Sequence, residues 1–293
     1  MKRRATIKSV KGGRVKIMKA MKKLSHMLLT GMILVLPLAR AHAAPVTLVA
    51  HRAVYDLALD HVQGASGIEA AQGRIVFELE GAACTGITQT FRQIVMLSGG
   101  EIDAKLIDTQ SVTTEEADGK TMRFSVLNRV GTAPVMQTLG VATRKDSSVS
   151  VRLSSPTKSE TQYPSSTLYP GEHYRKLIEA ALKGERFVSG QVFDGADEGQ
   201  SAPQTFAVIG KALQPSPSET ALLERAGMAK LKHWPVEIAY FDDEKATVEE
   251  PSYRVSMDLL ENGVSTNLRL DYTSFSLRGK LVALEVTPVT PCP

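Results

Sequence analysis

The residues best suited to covalent chemistry are two cysteines, Cys84 and Cys292, the only two in the 293-residue chain. They lie far apart and outside any C-x-x-C motif, so their spacing predicts neither a redox-active pair nor, with two thiols alone, a zinc site. In an oxidising compartment, an even number of cysteines favours a disulfide. A free Cys292, or a Cys292 paired between molecules, stays open as the alternative.

Side chains that could bind a metal or act in catalysis are scattered along the chain. His51, His61, His173 and His233 show no H-E-x-x-H spacing, which favours structural or surface positions for them. The acid-rich run 194–199 resembles a calcium loop but lacks the twelve-residue pattern, so an ordinary Asp/Gly turn is favoured. There is no G-x-S-x-G motif and no glycine-rich phosphate loop. The sequence therefore predicts no catalytic residue, no metal site and no cofactor.

The first 43 residues have the features of a cleaved signal peptide. They carry eleven Lys and Arg residues and no acid, an apolar run over residues 27–38, and small residues before a cleavage site after Ala43. This pattern is typical of secretion, and the apolar run is too short to span a bilayer. Met1, Met18 and Met21 are alternative start positions. No cysteine stands next to the cleavage site, so we expect a periplasmic protein that is not a lipoprotein.

Removal of the signal peptide reverses the sign of the charge. The whole chain has 35 Lys and Arg against 31 Asp and Glu, a formal net charge of +4, whereas residues 44–293 have 24 against 31. A net charge of about −7 gives no general attraction for nucleic acid, and no basic patch is interleaved with aromatic residues. We therefore expect no nucleic-acid partner.

One amphipathic helix and about a dozen strand-like runs must position these residues. The helix is predicted within residues 168–187, between Pro170 near its start and Gly184 just past its end. Its apolar stripe consists of Tyr174, Leu177, Ile178, Ala181 and Leu182. A short second helix is predicted from Ser216 to Gly227, where Ser216 and Glu219 form a capping box. The alternating runs on either side predict a large antiparallel sheet.

The C-terminal hairpin is specific enough to predict a register. A two-residue turn at Asn262-Gly263 places apolar side chains opposite apolar ones across the two strands, and a charged side chain opposite one of the other sign. The predicted pairs are Tyr253 with Tyr272, Arg254 with Asp271, Val255 with Leu270, Met257 with Leu268, and Asp258 with Asn267. A further turn is predicted at Arg278-Gly279, before a last strand over residues 280–287 that carries Cys292 back toward Cys84.

Nine short motifs occur in a fixed order from residue 51 to residue 272. They are the segments 51–57, 81–84, 91–92, 168–173 (LYPGEH), 184–187, 192–195, 234–241 (WPVEIAYF), 261–265 and 270–272. Together they resemble the EipB family of periplasmic cell-envelope integrity proteins, formerly a domain of unknown function in α-proteobacteria. One departure is Thr85-Gly86-Ile87, where Asp-Gly-Trp is expected in many relatives.

The resemblance implies a fold and a cellular role. The implied fold is a monomeric β-spiral, an open barrel of about fourteen antiparallel strands with a helix, in one periplasmic domain over residues 44–293. A disulfide between Cys84 and Cys292 is implied, as are stress resistance of the envelope and a link to a periplasmic tetratricopeptide-repeat protein. We expect a non-enzymatic protein that supports envelope integrity through protein partners. The alternative is a carrier or sensor that binds a lipid or other apolar ligand in the open barrel, at residues that the sequence does not identify.

Overall fold

The chain forms a long antiparallel sheet that curls around a helix. The structure is a computed structural model and describes residues 46–64, 66–100, 104–213, 217–241, 250–288 and 292. Within these residues the strands are β1 His51–Val62, β2 Ala70–Ala82, β3 Gly86–Ser98, β4 Lys105–Glu115, β5 Thr121–Val130, β6 Met136–Arg144, β7 Ser148–Ser155, β8 Ser159–Pro164, β9 Phe187–Gln191, β10 Gln204–Ile209, β11 His233–Phe241, β12 Tyr253–Leu260, β13 Ser265–Tyr272 and β14 Phe275–Val286. The helices are α1 Pro170–Lys183 and α2 Pro217–Arg225, with a short 3₁₀ turn at Asp197–Gly199.

The strand order makes the sheet an open barrel rather than a closed one. The order is β8-β7-β6-β5-β4-β3-β2-β1-β14-β13-β12-β11-β10-β9, and neighbours run antiparallel. The two edge strands, β8 and β9, are joined in sequence by α1. The segment after β8 and the segment after β9 meet in a short parallel bridge between Leu168 and Val192. There Leu168 N–H donates to Gln191 O (2.8 Å), and Leu168 O accepts from Phe193 N–H (2.9 Å). The predicted mainly β fold of about fourteen strands is confirmed.

Strand β1 shows why these segments form a two-faced sheet. Its alternation buries Tyr55 and Leu57 on the inner face and places Arg52 and Asp56 on the outer face. On the outer face, Arg52 Nε lies 2.7 Å from the Glu78 carboxylate of β2. Since side chains alternate along a strand, a shift of one residue would bury these charges, so the pattern fixes the register.

Helix α1 lies inside the curled sheet. It begins after Tyr169 and ends at Gly184, whose φ of 77° is the left-handed conformation that glycine accepts at a helix end. Leu177 and Ile178 are fully buried and belong to the same apolar core as the inward side chains of β1, β2, β11 and β13. Leu182, predicted to lie on the apolar stripe, is instead 45 % exposed. The buried face is shifted relative to the predicted stripe, since it includes His173 and Ala180.

The C-terminal hairpin has the predicted register only in the part that is remote from its turn. Tyr253 pairs with Tyr272 and Val255 with Leu270, but Asp258 pairs with Thr266 rather than with Asn267. The turn holds three residues, since Leu260 N–H donates to Val264 O (2.8 Å), and a bulge near Asn267 compensates for the extra residue. Asn267 has a φ of 51°, and its N–H donates to the Glu219 carboxylate of α2 (3.0 Å). The predicted pair Asp258–Asn267 is therefore wrong, and Met257 lies at the bulge itself, where the register shifts.

The predicted turn at Arg278-Gly279 is also wrong, because both residues lie within β14. Gly279 serves a packing role there. A Cβ at this position would stand 3.0 Å from Leu268 Cβ and 3.2 Å from Leu57 Cδ2, so a side chain would push the neighbouring strands apart. A glycine inside a strand can mark such a close approach as readily as a turn.

Two strands, β6 and β8, were not predicted from the sequence, because their residues are largely polar or small. The run 194–199 forms a turn, as predicted, and also contains a short 3₁₀ segment at Asp197–Gly199, which was not predicted. The second helix is confirmed as α2, although Ser216 of the predicted capping box lies outside the described residues, as do the predicted signal peptide and the predicted cleavage site. In the described part of the chain, no helix combines the length and the apolar character needed to cross a membrane.

Candidate functional site

The interior of the open barrel contains a cavity beside α1. Its volume is about 510 Å³, and it lies between the inner faces of β1–β4 and those of β11–β13. Pro170 and Tyr174 of α1 form part of its wall. Sites for small ligands commonly have volumes of about 300–1,000 Å³. The cavity is therefore large enough to be a binding site, and its walls have two different characters.

One wall contains Tyr240, Tyr253 and Tyr272, and Phe275, which does not line the cavity, extends this row of aromatic rings. We call the four rings the tyrosine belt. Tyr240 and Tyr253 face each other across β11 and β12, and Tyr253 and Tyr272 across β12 and β13. Successive ring centroids lie 5.7, 5.0 and 4.9 Å apart, within the range of favourable aromatic contacts. Burial raises the pKa of the Tyr253 and Tyr272 phenols, so both stay neutral. The belt offers apolar ring surface with hydroxyl groups attached.

The opposite wall contains five polar side chains, which we call the polar strip: Gln89 and Gln93 of β3 with Thr109, Ser111 and Thr113 of β4. Phe91, between the two glutamines, also lines the cavity. Gln93 faces Thr109 and Gln89 faces Thr113 across the two strands, and all five side chains line the cavity. The Thr109, Ser111 and Thr113 hydroxyls form no side-chain hydrogen bond with any residue that the structure describes. The strip therefore presents hydrogen-bonding groups to the contents of the cavity.

The polar strip was not predicted from the sequence, although β4 contains a signal for it. Thr109, Ser111 and Thr113 occupy alternate positions, and Val112 is the one apolar residue at the intervening positions 108, 110, 112 and 114. A strand in the middle of a sheet with no apolar face is unusual for a packed core. Such a strand indicates that one of its faces lines water or a ligand.

Hydrogen bonds across the lumen hold the two walls at a fixed distance. Gln93 Nε2 donates to the Tyr272 hydroxyl (3.0 Å), which joins the polar strip to the tyrosine belt. The Tyr55 hydroxyl donates to Ser265 O (2.7 Å) and so connects β1 to β13. Both bonds link residues distant in sequence, so the cavity is formed only when the sheet has curled.

An ion pair, which we call the clamp, fixes the start of α1 to β6. Arg144 makes two hydrogen bonds of 2.6 Å to the Glu172 carboxylate, and both side chains are about four-fifths covered. Arg144 also donates to Thr167 O (2.7 Å), and its guanidinium lies 4.7 Å from the centroid of the Tyr169 ring. Glu172 accepts in addition from Tyr169 N–H (3.0 Å). The LYPGEH motif thus anchors the helix at the barrel wall.

A second carboxylate, Glu115 at the end of β4, meets the same turn of α1. Its Oε1 accepts from Gly171 N–H (2.6 Å), its Oε2 lies 3.6 Å from Arg175, and the side chain is only 3 % exposed. A Cβ on Gly171 would clash with Glu115 and Ile87, so glycine is required for this approach. Burial raises the pKa of the Glu115 carboxyl to about 7, despite the opposing effects of Gly171 N–H and Arg175.

Cys84 and Cys292 form a disulfide, with their Cα atoms 5.7 Å apart. Cys84 lies in the turn between β2 and β3, and its N–H also donates to Cys292 Sγ (3.2 Å). Cys292 follows β14, which pairs with β1 at the centre of the sheet. The bond ties the C-terminus to the outer end of the β2–β3 hairpin. Neither cysteine is among the residues that line the cavity.

The four histidines are not brought together. His51 lines the cavity, His173 is buried in α1, His233 begins β11 and His61 lies at the end of β1. Burial lowers the pKa of His173 to about 4, and the positive charge of Lys176 acts in the same direction. Among the described residues, no group of three or more His, Cys, Asp or Glu side chains could hold a metal ion.

The chain is similar to known proteins over most of its length. The family model described as EipB-like matches residues 42–288. The chain belongs to the EipB-like family. The cell envelope integrity protein EipB of Brucella abortus (strain 2308) is 37 % identical over 248 residues, which cover 85 % of this chain and 88 % of that protein.

A crystal structure resembles this EipB-like chain over most of its length. It is that of a beta-barrel-like protein of a domain of unknown function from Brucella abortus, and it aligns with a TM-score of 0.79 at 36 % identity. The alignment covers 83 % of this chain and 100 % of that structure. Three features of the EipB-like chain involve the recognised motifs. The clamp and the contact of Glu115 with α1 use Glu172 and Gly171 of LYPGEH, and the tyrosine belt includes Tyr240 of WPVEIAYF.

Proposed function

We propose that this protein supports cell-envelope integrity in the periplasm and does so by holding an amphiphilic ligand in its lumen cavity. The envelope role is supported by the name of the Brucella relative and by membership of the EipB-like family. The periplasmic location is supported by the signal-peptide pattern over residues 1–43 and by the disulfide, which is typical of oxidising compartments. No catalytic role is assigned to any residue.

The observation that carries the ligand proposal is the unfilled lumen. A barrel of this type can fill its interior with side chains or leave room for a ligand. Here α1 fills one part of the interior, and a cavity of about 510 Å³ remains beside it. One wall is aromatic and the opposite wall carries hydroxyl and amide groups, which suits a molecule with an apolar chain and polar substituents.

Blocking the cavity should abolish binding. Replacing Ser111 by Trp places a bulky ring in the middle of the polar strip, where it occupies space that a ligand would need. We expect the wild-type protein to bind the neutral fluorescent amphiphile N-phenyl-1-naphthylamine and the Ser111→Trp variant to bind it at least about tenfold more weakly. Fluorescence titration of both proteins measures the difference.

Gln110→Trp is the matched control, because Gln110 precedes Ser111 and points to the outer face, opposite Arg92. It should bind the dye as the wild type does, and thermal unfolding should show that both variants are folded. Wild-type protein that binds no amphiphile, or a folded Ser111→Trp variant with unchanged affinity, would contradict the proposal.

Action through a protein partner, namely the periplasmic tetratricopeptide-repeat protein that the resemblance implies, stays a prediction. It is compatible with the ligand proposal, since a ligand-bound and a ligand-free barrel could present different surfaces to a partner. A partner would be identified by co-purification with the exported, disulfide-bonded protein.

A further inference from the structure

The side chains that line the cavity include no Lys and no Arg among the described residues. Apart from the tyrosines, only His51 and Asp194 could carry a charge there. The remaining lining is aromatic, aliphatic, amide or hydroxyl. A buried ion without a counter-ion is strongly disfavoured in a protein interior, so the lining restricts the charge that a ligand can bring in.

His51 does not supply the missing positive charge. Its Nδ1–H donates to Val49 O (2.8 Å), and its ring lies against Phe77 with centroids 5.5 Å apart. Burial lowers the pKa of His51, although the bond to Val49 O opposes that shift. The imidazole therefore stays neutral near neutral pH, where it offers the ligand an apolar ring face.

Asp194 contributes only negative charge, and its position limits that contribution. Its Oδ1 accepts from Ala196 N–H (2.9 Å), and burial raises the pKa of the carboxyl. Two basic side chains at the first turns of α1 have acidic partners: Arg144 is held by Glu172, and Arg175 lies 3.6 Å from the Glu115 carboxylate. An acidic head group in the cavity would thus meet Asp194 without a free cation.

We propose that the cavity selects an uncharged amphiphile, whose hydroxyl, ester or amide groups bind the polar strip while its apolar chain lies along the tyrosine belt. The selection follows from the placement of five neutral polar side chains opposite a row of aromatic rings, with no basic residue between them. An acyl carboxylate or a phosphate head group would be rejected. This inference rests on the proposed ligand-binding function and specifies the chemical class of the ligand.

Three amphiphiles with the same twelve-carbon chain test the selection: 1-monolauroylglycerol, laurate and dodecyltrimethylammonium. Each is titrated below its critical micelle concentration at pH 8 against the folded, disulfide-bonded protein, by calorimetry or by displacement of N-phenyl-1-naphthylamine. The neutral glyceride should bind at least about tenfold more tightly than either ion. Laurate or the ammonium ion binding as tightly as the glyceride overturns the inference and leaves the cavity as a binding site. If none of the three binds, the proposed function itself fails.

A substitution in the polar strip should reverse the preference. Gln93→Arg adds a cation beside Tyr272, and we expect it to raise the affinity for laurate at least about tenfold relative to the wild type. Gln93→Met is the matched control, because it removes the same hydrogen bond to Tyr272 without adding charge, and it should leave laurate weakly bound. If Gln93→Arg is folded and binds laurate no better than Gln93→Met does, lack of a cation is not the reason for the selection and the inference is overturned.

Discussion

Replacing both Cys84 and Cys292 by serine should lower the free energy of unfolding by about 5 kcal/mol. The bond joins two residues that are separated by 208 positions in the sequence, so the loop that it closes includes most of the described chain. A cross-link stabilises a protein mainly because it restricts the unfolded chain, and the restriction grows with the length of the loop. An effect of this size approaches the total stability of many domains, so the variant should be largely unfolded in mild denaturant.

Urea unfolding of the oxidised wild type, the reduced wild type and the double-serine variant measures this effect. The reduced wild type and the variant should agree, since both lack the bond, and the intact mass of the wild type should rise by two protons on reduction. A variant as stable as the oxidised wild type would contradict the prediction. Absence of the mass shift in normally exported protein would show that the two cysteines are not paired.

Glu115 should make the stability of this protein depend on pH in a direction that is unusual for a carboxylate. Its folded-state pKa of about 7 lies above its ordinary value of 4.5, because burial disfavours the charged form. Protonated Glu115 therefore makes its full contribution to the free energy of unfolding below about pH 4.5. That contribution is lost as the pH rises to about 7. Over this interval, the free energy of unfolding of the wild type should fall by about 3 kcal/mol more than that of Glu115→Gln.

Denaturant unfolding from pH 4 to pH 8 on the wild type and Glu115→Gln isolates this carboxyl, because every other titrating group is common to both. The amide can still accept the hydrogen bond from Gly171 N–H. Glu116→Gln is the matched control: Glu116 is the exposed neighbour of Glu115, 3.8 Å from Arg123, and its replacement should leave the pH profile unchanged. Parallel profiles for the wild type and Glu115→Gln would show that Glu115 is charged in the folded state across this range.

The sheet could be predicted from the sequence wherever one face of a strand is apolar. The alternation of Tyr55 and Leu57 with their outward neighbours is enough to predict β1, and the pairs from Tyr253 to Leu270 are enough to predict the hairpin. The inner register of that hairpin could not be predicted, because it depends on a bulge at Asn267 that is held by Glu219 of another element. Gly279 was misinterpreted for a similar reason: the contacts with Leu57 and Leu268 that require glycine exist only in the folded sheet.

The candidate site was harder to predict than the fold. The recognised motifs indicated a family, but the cavity is formed by strands from both ends of the chain, and no local pattern describes an empty volume. The start of α1 shows the same limit. The position of Glu172 in the first turn of the helix indicates a favourable interaction with the helix dipole, but no local pattern predicts that its carboxylate binds Arg144 of a distant strand. The lone signal for a polar lumen, the alternation of Thr109, Ser111 and Thr113, is visible in the sequence once the strand is known to be central.

Native mass spectrometry of the exported protein, purified gently from a periplasm and followed by solvent extraction, tests the ligand proposal most directly. We expect a population with a bound neutral amphiphile that is recovered in the organic phase and is absent from Ser111→Trp prepared in the same way. Gln110→Trp should retain it. A clean monomer mass for the wild type, with nothing extractable and no binding of added amphiphile, would contradict the account and indicate that the protein supports the envelope through its partners alone.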